Sequence, residues 1–198
     1  MSPADQSNLH QSDFILGGVR SGKSREALRL AAVSPWGART GFLATAHAGD
    51  GDMARRIARH QADRPRNWPT VEEPYEVTAA CRSLGDRVDL IVLDCVTLWV
   101  SNLLLRGDGA EKILTAADAL AGLAGERRSS LIIVSNEVGA GVHPPTDLGL
   151  HFQDVLGGVN QRLAAAADRV TLMVAGIPVL VKDTTPEVLR DARPPDAP

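Results

Sequence analysis

Residues 13–32 read DFILGGVRSGKSREALRLAA, and the fold turns on how this stretch is divided. DFILG has the apolar character of a short strand and SREALRLAA that of a helix. Between them, Gly17 is followed after four residues by Gly22, Lys23 and Ser24, the complete spacing of a phosphate-binding P-loop in its required strand-to-helix setting. Such a loop works because its glycines let successive backbone N–H groups converge on phosphate oxygens at a helix N-terminus, where the dipole also favours negative charge. Gly17, Gly18, Val19, Arg20, Ser21, Gly22, Lys23 and Ser24 are therefore expected to bind a nucleotide, with Lys23 as a mobile positive charge and the Ser24 hydroxyl on Mg2+. A glycine-rich turn without a ligand is the plain alternative, and it leaves the full spacing unexplained.

Outward from this loop, β-rich runs at 14–16, 40–44, 90–93, 131–134, 170–175 and 177–181 alternate with stretches of helical period. That order predicts an α/β fold of P-loop NTPase type, with a mostly parallel central sheet flanked by helices. Phe152, Val155, Val159 and Leu163 recur at steps of three and four, which predicts an amphipathic helix on the sheet. Only the short turn around Gly176 separates the last two runs, too little chain for a helical crossover, so a C-terminal antiparallel edge hairpin is expected, with Pro178 suited to the edge. In LIVLD, Asp94 ends a strand. It is either the second metal ligand of the nucleotide site or the cap of a following helix.

The chain has 198 residues, enough for one domain with a sizeable core, expected at 13–182 with flexible termini at 1–12 and 183–198. Hydrophobic residues make up 44% and charged residues 23%, an ordinary globular balance. A net charge of -3 does not suit a dedicated nucleic-acid binder, and no apolar run approaches the roughly 18 residues of a membrane span. Cys81 and Cys95, without metal-ligand spacing, read as two core thiols of a cytoplasmic protein.

Further segments extend the motif: DMARRIARHQADRPRNWPTVEEP, LDCVTLWVSNLL, VSNEVGAGVHP and HFQDVLGGVNQRLAAAADRVTLMVAGIPVLVK. With GGVRSGKSREA, the chain from about Phe14 to Lys182 resembles the bifunctional adenosylcobinamide kinase and adenosylcobinamide-phosphate guanylyltransferase family of cobalamin biosynthesis. The resemblance implies a kinase step from ATP or GTP to adenosylcobinamide. A second step passes GMP from GTP through a guanylylated histidine to adenosylcobinamide phosphate, and the histidine falls on His60. A neutral imidazole is a competent nucleophile for such a step. By spacing alone, His60 shares a helix stripe with Met53 and Ile57 and reads as a core residue; the resemblance reverses that reading.

By the same resemblance, Ala44, Thr45 and Ala46 border the nucleotide, Gln61, Ala62, Asp63 and Arg64 follow the histidine around it, and Glu72 and Asp94 are the matching acidic positions. Asn136, Glu137, Asn160, Gln161 and Arg162 are candidates for the corrinoid side or a subunit interface. The resemblance also implies a homo-oligomer, a trimer in the family. Two readings compete with it: a small-molecule P-loop kinase that never forms a nucleotidyl-enzyme, and a GTP-dependent regulator. The absence of an Asn-Lys-x-Asp guanine-reading motif weakens the second.

Overall fold

The computed structural model describes residues 10–34, 39–46, 65, 67–141 and 143–185. In chain order the elements are β1 (Ser12–Gly17), α1 (Lys23–Val33), β2 (Thr40–Ala44), β3 (Thr70–Glu72), α2 (Val77–Gly85), β4 (Leu90–Asp94) and α3 (Val96–Leu105). They continue with α4 (Ala110–Glu126), β5 (Ser130–Val134), α5 (Asp147–Ala166), β6 (Arg169–Val174) and β7 (Ile177–Asp183). Among the described residues the strands form one seven-stranded sheet in the order β3-β2-β4-β5-β1-β6-β7. Every neighbouring pair is parallel except β6 and β7.

Helices lie on both faces, as a parallel sheet with apolar residues on both sides requires. One face carries Phe14, Leu43, Ile91, Leu93, Leu131 and Ile133 into a core with residues of α2, α3, α4 and α5, including the fully buried Trp99 and Leu156. The other packs Ile15, Phe42, Val92, Ile132 and Val134 against Ala27 and Ala31 of α1, with Trp68 and Met173. The expected α/β architecture and the edge hairpin are both present. Ala175 and Gly176, at φ 51° and 89°, form the left-handed two-residue turn that suits tightly twisted antiparallel strands.

Sequence reasoning missed β3. Its three residues carry little strand signal of their own; they are held by pairing with β2, Phe42 opposite Thr70 through Ala44 opposite Glu72. The described domain also reaches beyond the expected limits of 13–182. Ser12 begins β1 and His10 is buried, while the Gln11 side chain donates to the hydroxyl of the buried Thr185 at 3.0 Å.

Beneath this junction lies a polar latch. The Asp168 carboxylate accepts from the Ser12 backbone N–H and hydroxyl, each at 2.8 Å, and from both Arg127 Nη atoms, each at 2.6 Å. It ties the start of β1 to the ends of α4 and α5. Gly158, on α5, marks a close helix approach: a Cβ there would lie 3.0 Å from the Leu114 side chain on α4.

Candidate nucleotide site at the carboxyl ends of the strands

In an open parallel α/β sheet, ligands bind beyond the carboxyl ends of the strands, and those of the expected residues that the structure describes lie at that end. The register places Glu72, Ala44, Asp94, Val134 and Ile15 in one row across β3, β2, β4, β5 and β1. Paired residues point to the same face, so the Asp94 side chain belongs to the face that α1 covers. Lys23 opens α1 beside it, and the Asp94 charge acts on its ammonium.

The loop itself has the conformation the spacing predicts. Gly22 caps α1 with φ 96°, and Arg20 is also left-handed at φ 57°. Gly17 has φ 155°, and a Cβ on it would lie 2.6 Å from both the Met173 carbonyl oxygen and the Ser21 hydroxyl. Only glycine fits where the loop leaves β1. The turn of the edge hairpin supports the loop's far side, the Gly176 N–H donating to the Ser21 carbonyl at 3.0 Å. The hairpin is therefore part of the site's scaffold.

Lys23 is buried, and its Nζ donates to the Gly18 carbonyl at 2.6 Å and to the Ser21 hydroxyl at 3.4 Å. Burial lowers its pKa below 10.5, while the neighbouring Asp94 carboxylate opposes that shift. The ammonium thus bridges two of the loop's own oxygens. Ser24 is half-buried in the first turn of α1.

Asp94 is not a helix cap. The cap of α3 is Cys95, without a side-chain cap bond, which removes that alternative. Cys95 packs, partly buried, against the core on the α1 side of the sheet and borders the site; burial, aided by the Asp94 charge, pushes its pKa to about 12, so the sulfur is neutral at physiological pH. Cys81 is a core thiol, also pushed to about 12 by burial. A hydroxyl and a carboxylate are hard oxygen donors of the kind that suits Mg2+, which is commonly held by one or two carboxylates together with substrate phosphates. Among the described residues no cluster of three or more His, Cys, Asp or Glu side chains forms a separate metal cage.

Thr45 is fully buried; its hydroxyl donates to the Cys95 carbonyl at 2.7 Å and accepts from the Cys95 N–H at 3.0 Å. The Asn102 amide donates to the Thr45 carbonyl at 2.8 Å and the Pro74 carbonyl at 3.2 Å. Helix α3 therefore braces the ends of three strands. Ala44 is buried, Ala46 is half-buried and Glu72 is exposed at the end of β3.

His60, Gln61, Ala62, Asp63 and Arg64 lie outside the described residues. Of the remaining histidines, His10 sits before β1, at the opposite end of that strand from the loop, and burial lowers its pKa below 6.5. Among the corrinoid-side candidates, Asn160 is buried with its amide bonded internally, and Arg162 pairs with Asp118 at 3.0 Å. Asn136 and Glu137 lie beside the loop, the Glu137 N–H donating to the Gly17 carbonyl at 3.0 Å. Thr97 and Ser135, which sequence reasoning passed over, hold this segment. Their signal was weak: polar residues directly after strand ends.

A family model described as cobinamide kinase / cobinamide phosphate guanyltransferase matches residues 13–181. The bifunctional adenosylcobalamin biosynthesis protein CobP of Pseudomonas aeruginosa is 46% identical over 170 residues, covering 86% of this chain and 96% of the relative. CobU of Salmonella typhimurium, described in the same words, is 37% identical over 181 residues, covering 85% and 98%. Among solved structures, a KaiC-like protein from Pyrococcus horikoshii matches with a TM-score of 0.50 and 14% identity, over 82% of this chain and 70% of that one, a likeness of fold alone.

Proposed function

The chain belongs to the cobinamide kinase / cobinamide phosphate guanyltransferase family, which makes it an enzyme of adenosylcobalamin biosynthesis, and from that premise we propose how its residues divide the two reactions. The observation that carries the reading is the formed phosphate loop, residues 17–24, with buried Lys23 facing the strand-end Asp94.

In the kinase step the aminopropanol hydroxyl of adenosylcobinamide attacks the γ-phosphorus of ATP or GTP. The bond from that phosphorus to the bridging oxygen breaks, and the nucleoside diphosphate leaves. Lys23 and the loop N–H groups neutralise charge developing on the phosphate chain. Ser24 and Asp94 are the residues that would hold Mg2+, which supplies further neutralisation of that charge.

In the second step an imidazole nitrogen of His60 attacks the α-phosphorus of GTP and pyrophosphate leaves. An oxygen of adenosylcobinamide phosphate then attacks the same phosphorus, the phosphorus–nitrogen bond breaks, and His60 is regenerated. Gln61, Ala62, Asp63, Arg64, Glu72 and the Ala44–Ala46 segment complete the nucleotide's surroundings. The state of the nearby nucleophiles supports the choice of histidine: the Cys95 thiol is held neutral, and the Thr45 hydroxyl is engaged with Cys95.

We further take the enzyme to be cytoplasmic and homo-oligomeric, a trimer by its family resemblance. Val174, Ile177, Val179, Leu180 and Val181 support self-association, being 45–65% exposed together on the edge hairpin.

The test is incubation with α-labelled GTP and Mg2+, then denaturation and mapping. Label should stay on the wild-type protein at His60, be released by acid, and fail to form when the metal is chelated before GTP is added. His60→Asn should retain kinase turnover and lose labelling. Acid-stable label, label on another residue, or normal guanylylation by His60→Asn refutes the assignment.

A further inference from the structure

The loop's first carbonyl, that of Gly17, is held by the Glu137 N–H, so the shape of the loop depends on where residues 135–137 lie. Strand β5 ends at Val134, and two N–H groups beyond it follow the edge of β1, Ser135 donating to the Ile15 carbonyl and Glu137 to that of Gly17, each at 3.0 Å. Beyond that point, side chains from two helices fix the segment. Thr97 of α3 accepts the Asn136 N–H at 2.7 Å. Asn160 of α5 accepts the Ser135 hydroxyl at 2.7 Å and donates to the Asn136 carbonyl at 3.0 Å. Gln153, two turns earlier on α5, donates to the Val138 carbonyl.

Thr97, Ser135 and Asn160 are all buried, and apolar side chains of the same shape would leave the Asn136 N–H and carbonyl without these partners. What apolar residues would not supply is direction. Three bonds from two helices set both the N–H and the carbonyl of Asn136, and with them the aim of the next N–H at Gly17. We propose that Thr97, Ser135 and Asn160 are positioning residues that set the phosphate loop for nucleotide through the 135–137 segment. The proposal rests on the reading that this loop binds the nucleotide's phosphates.

The test uses the full chain, titrated with N-methylanthraniloyl-GTP and assayed for nucleotide-dependent phosphorylation of adenosylcobinamide. Thr97→Val removes the acceptor and keeps the shape; it should raise the nucleotide Kd and KM about tenfold, the effect of one buried donor left unpaired. Thr97→Ser keeps the acceptor and should restore both values. Asn160→Asp loses the donor to the Asn136 carbonyl, so its nucleotide affinity relative to wild type should recover as the pH falls and the new carboxyl gains a proton.

A folded Thr97→Val with wild-type Kd and KM overturns the proposal. If that variant does not fold, an Asn160→Asp protein whose affinity matches wild type at every pH overturns it instead. Wild-type protein that binds no nucleotide overturns the phosphate-site reading as well, which separates the two failures.

Discussion

Asp168→Ala should destabilise the protein by an amount readable from the latch. The substitution removes an acceptor of four hydrogen bonds, two from Ser12 and two from Arg127. Ser12 is 2% exposed, so its N–H is left without water or partner. Losing one member of a buried ion pair costs about 3–5 kcal/mol. The Arg127 side chain is 32% exposed and regains some hydration, which puts the expected loss near the lower end, about 3 kcal/mol. For a domain of this size that corresponds to about 6–12 °C in Tm. Urea unfolding followed by tryptophan fluorescence measures it, with the slope unchanged.

The pH dependence checks the cause. Burial pushes the Asp168 pKa up, but the Arg127 and Ser12 hydrogen bonds outweigh it and leave the folded value below 3.8. A depressed carboxylate contributes its stability above the unfolded pKa and loses it as pH falls through the folded one. The gap between wild type and Asp168→Ala should therefore hold from pH 7 to about pH 5 and close below 3.8. A loss under about 1 kcal/mol at pH 7, or a gap that does not close in acid, would refute the latch as described.

Gly17→Ala should weaken both nucleotide binding and stability, the latter by about 1–3 kcal/mol, because its Cβ must displace the Met173 backbone. Unfolding and nucleotide titration of one sample measure both, and an alanine variant equal to wild type in each counts against the loop geometry. Sedimentation of the wild-type protein should show an oligomer, and Ile177→Lys with Val181→Glu should shift it to monomer. A monomeric wild type, or a double variant that still assembles, removes the edge hairpin as the contact.

The loop motif and the edge hairpin were legible in the sequence because each depends on neighbours along the chain, and the class of sheet was legible from the alternation of strand and helix patterns, although its pairings join distant strands. The loop's glycines and Lys23 act within eight residues, and the hairpin follows from having one short turn between two strands. Strand β3 was not legible, since Thr70–Glu72 becomes a strand only beside β2. The helix-cap reading of Asp94 fell only when α3 was seen to begin from Cys95, and only the sheet register set Asp94 on the face of Lys23. Asn160 was a candidate for the corrinoid side or a subunit interface, and its buried amide bonds to residues more than twenty positions away. Periodicity records which side of a helix is apolar, but not which distant polar group meets it there. The sequence by itself determined the chemistry of the loop and the class of fold; the tertiary structure decided which side chains at the strand ends face the loop and which hold it in shape. That second choice is made by pairings across the sheet and between helices, which local sequence does not encode.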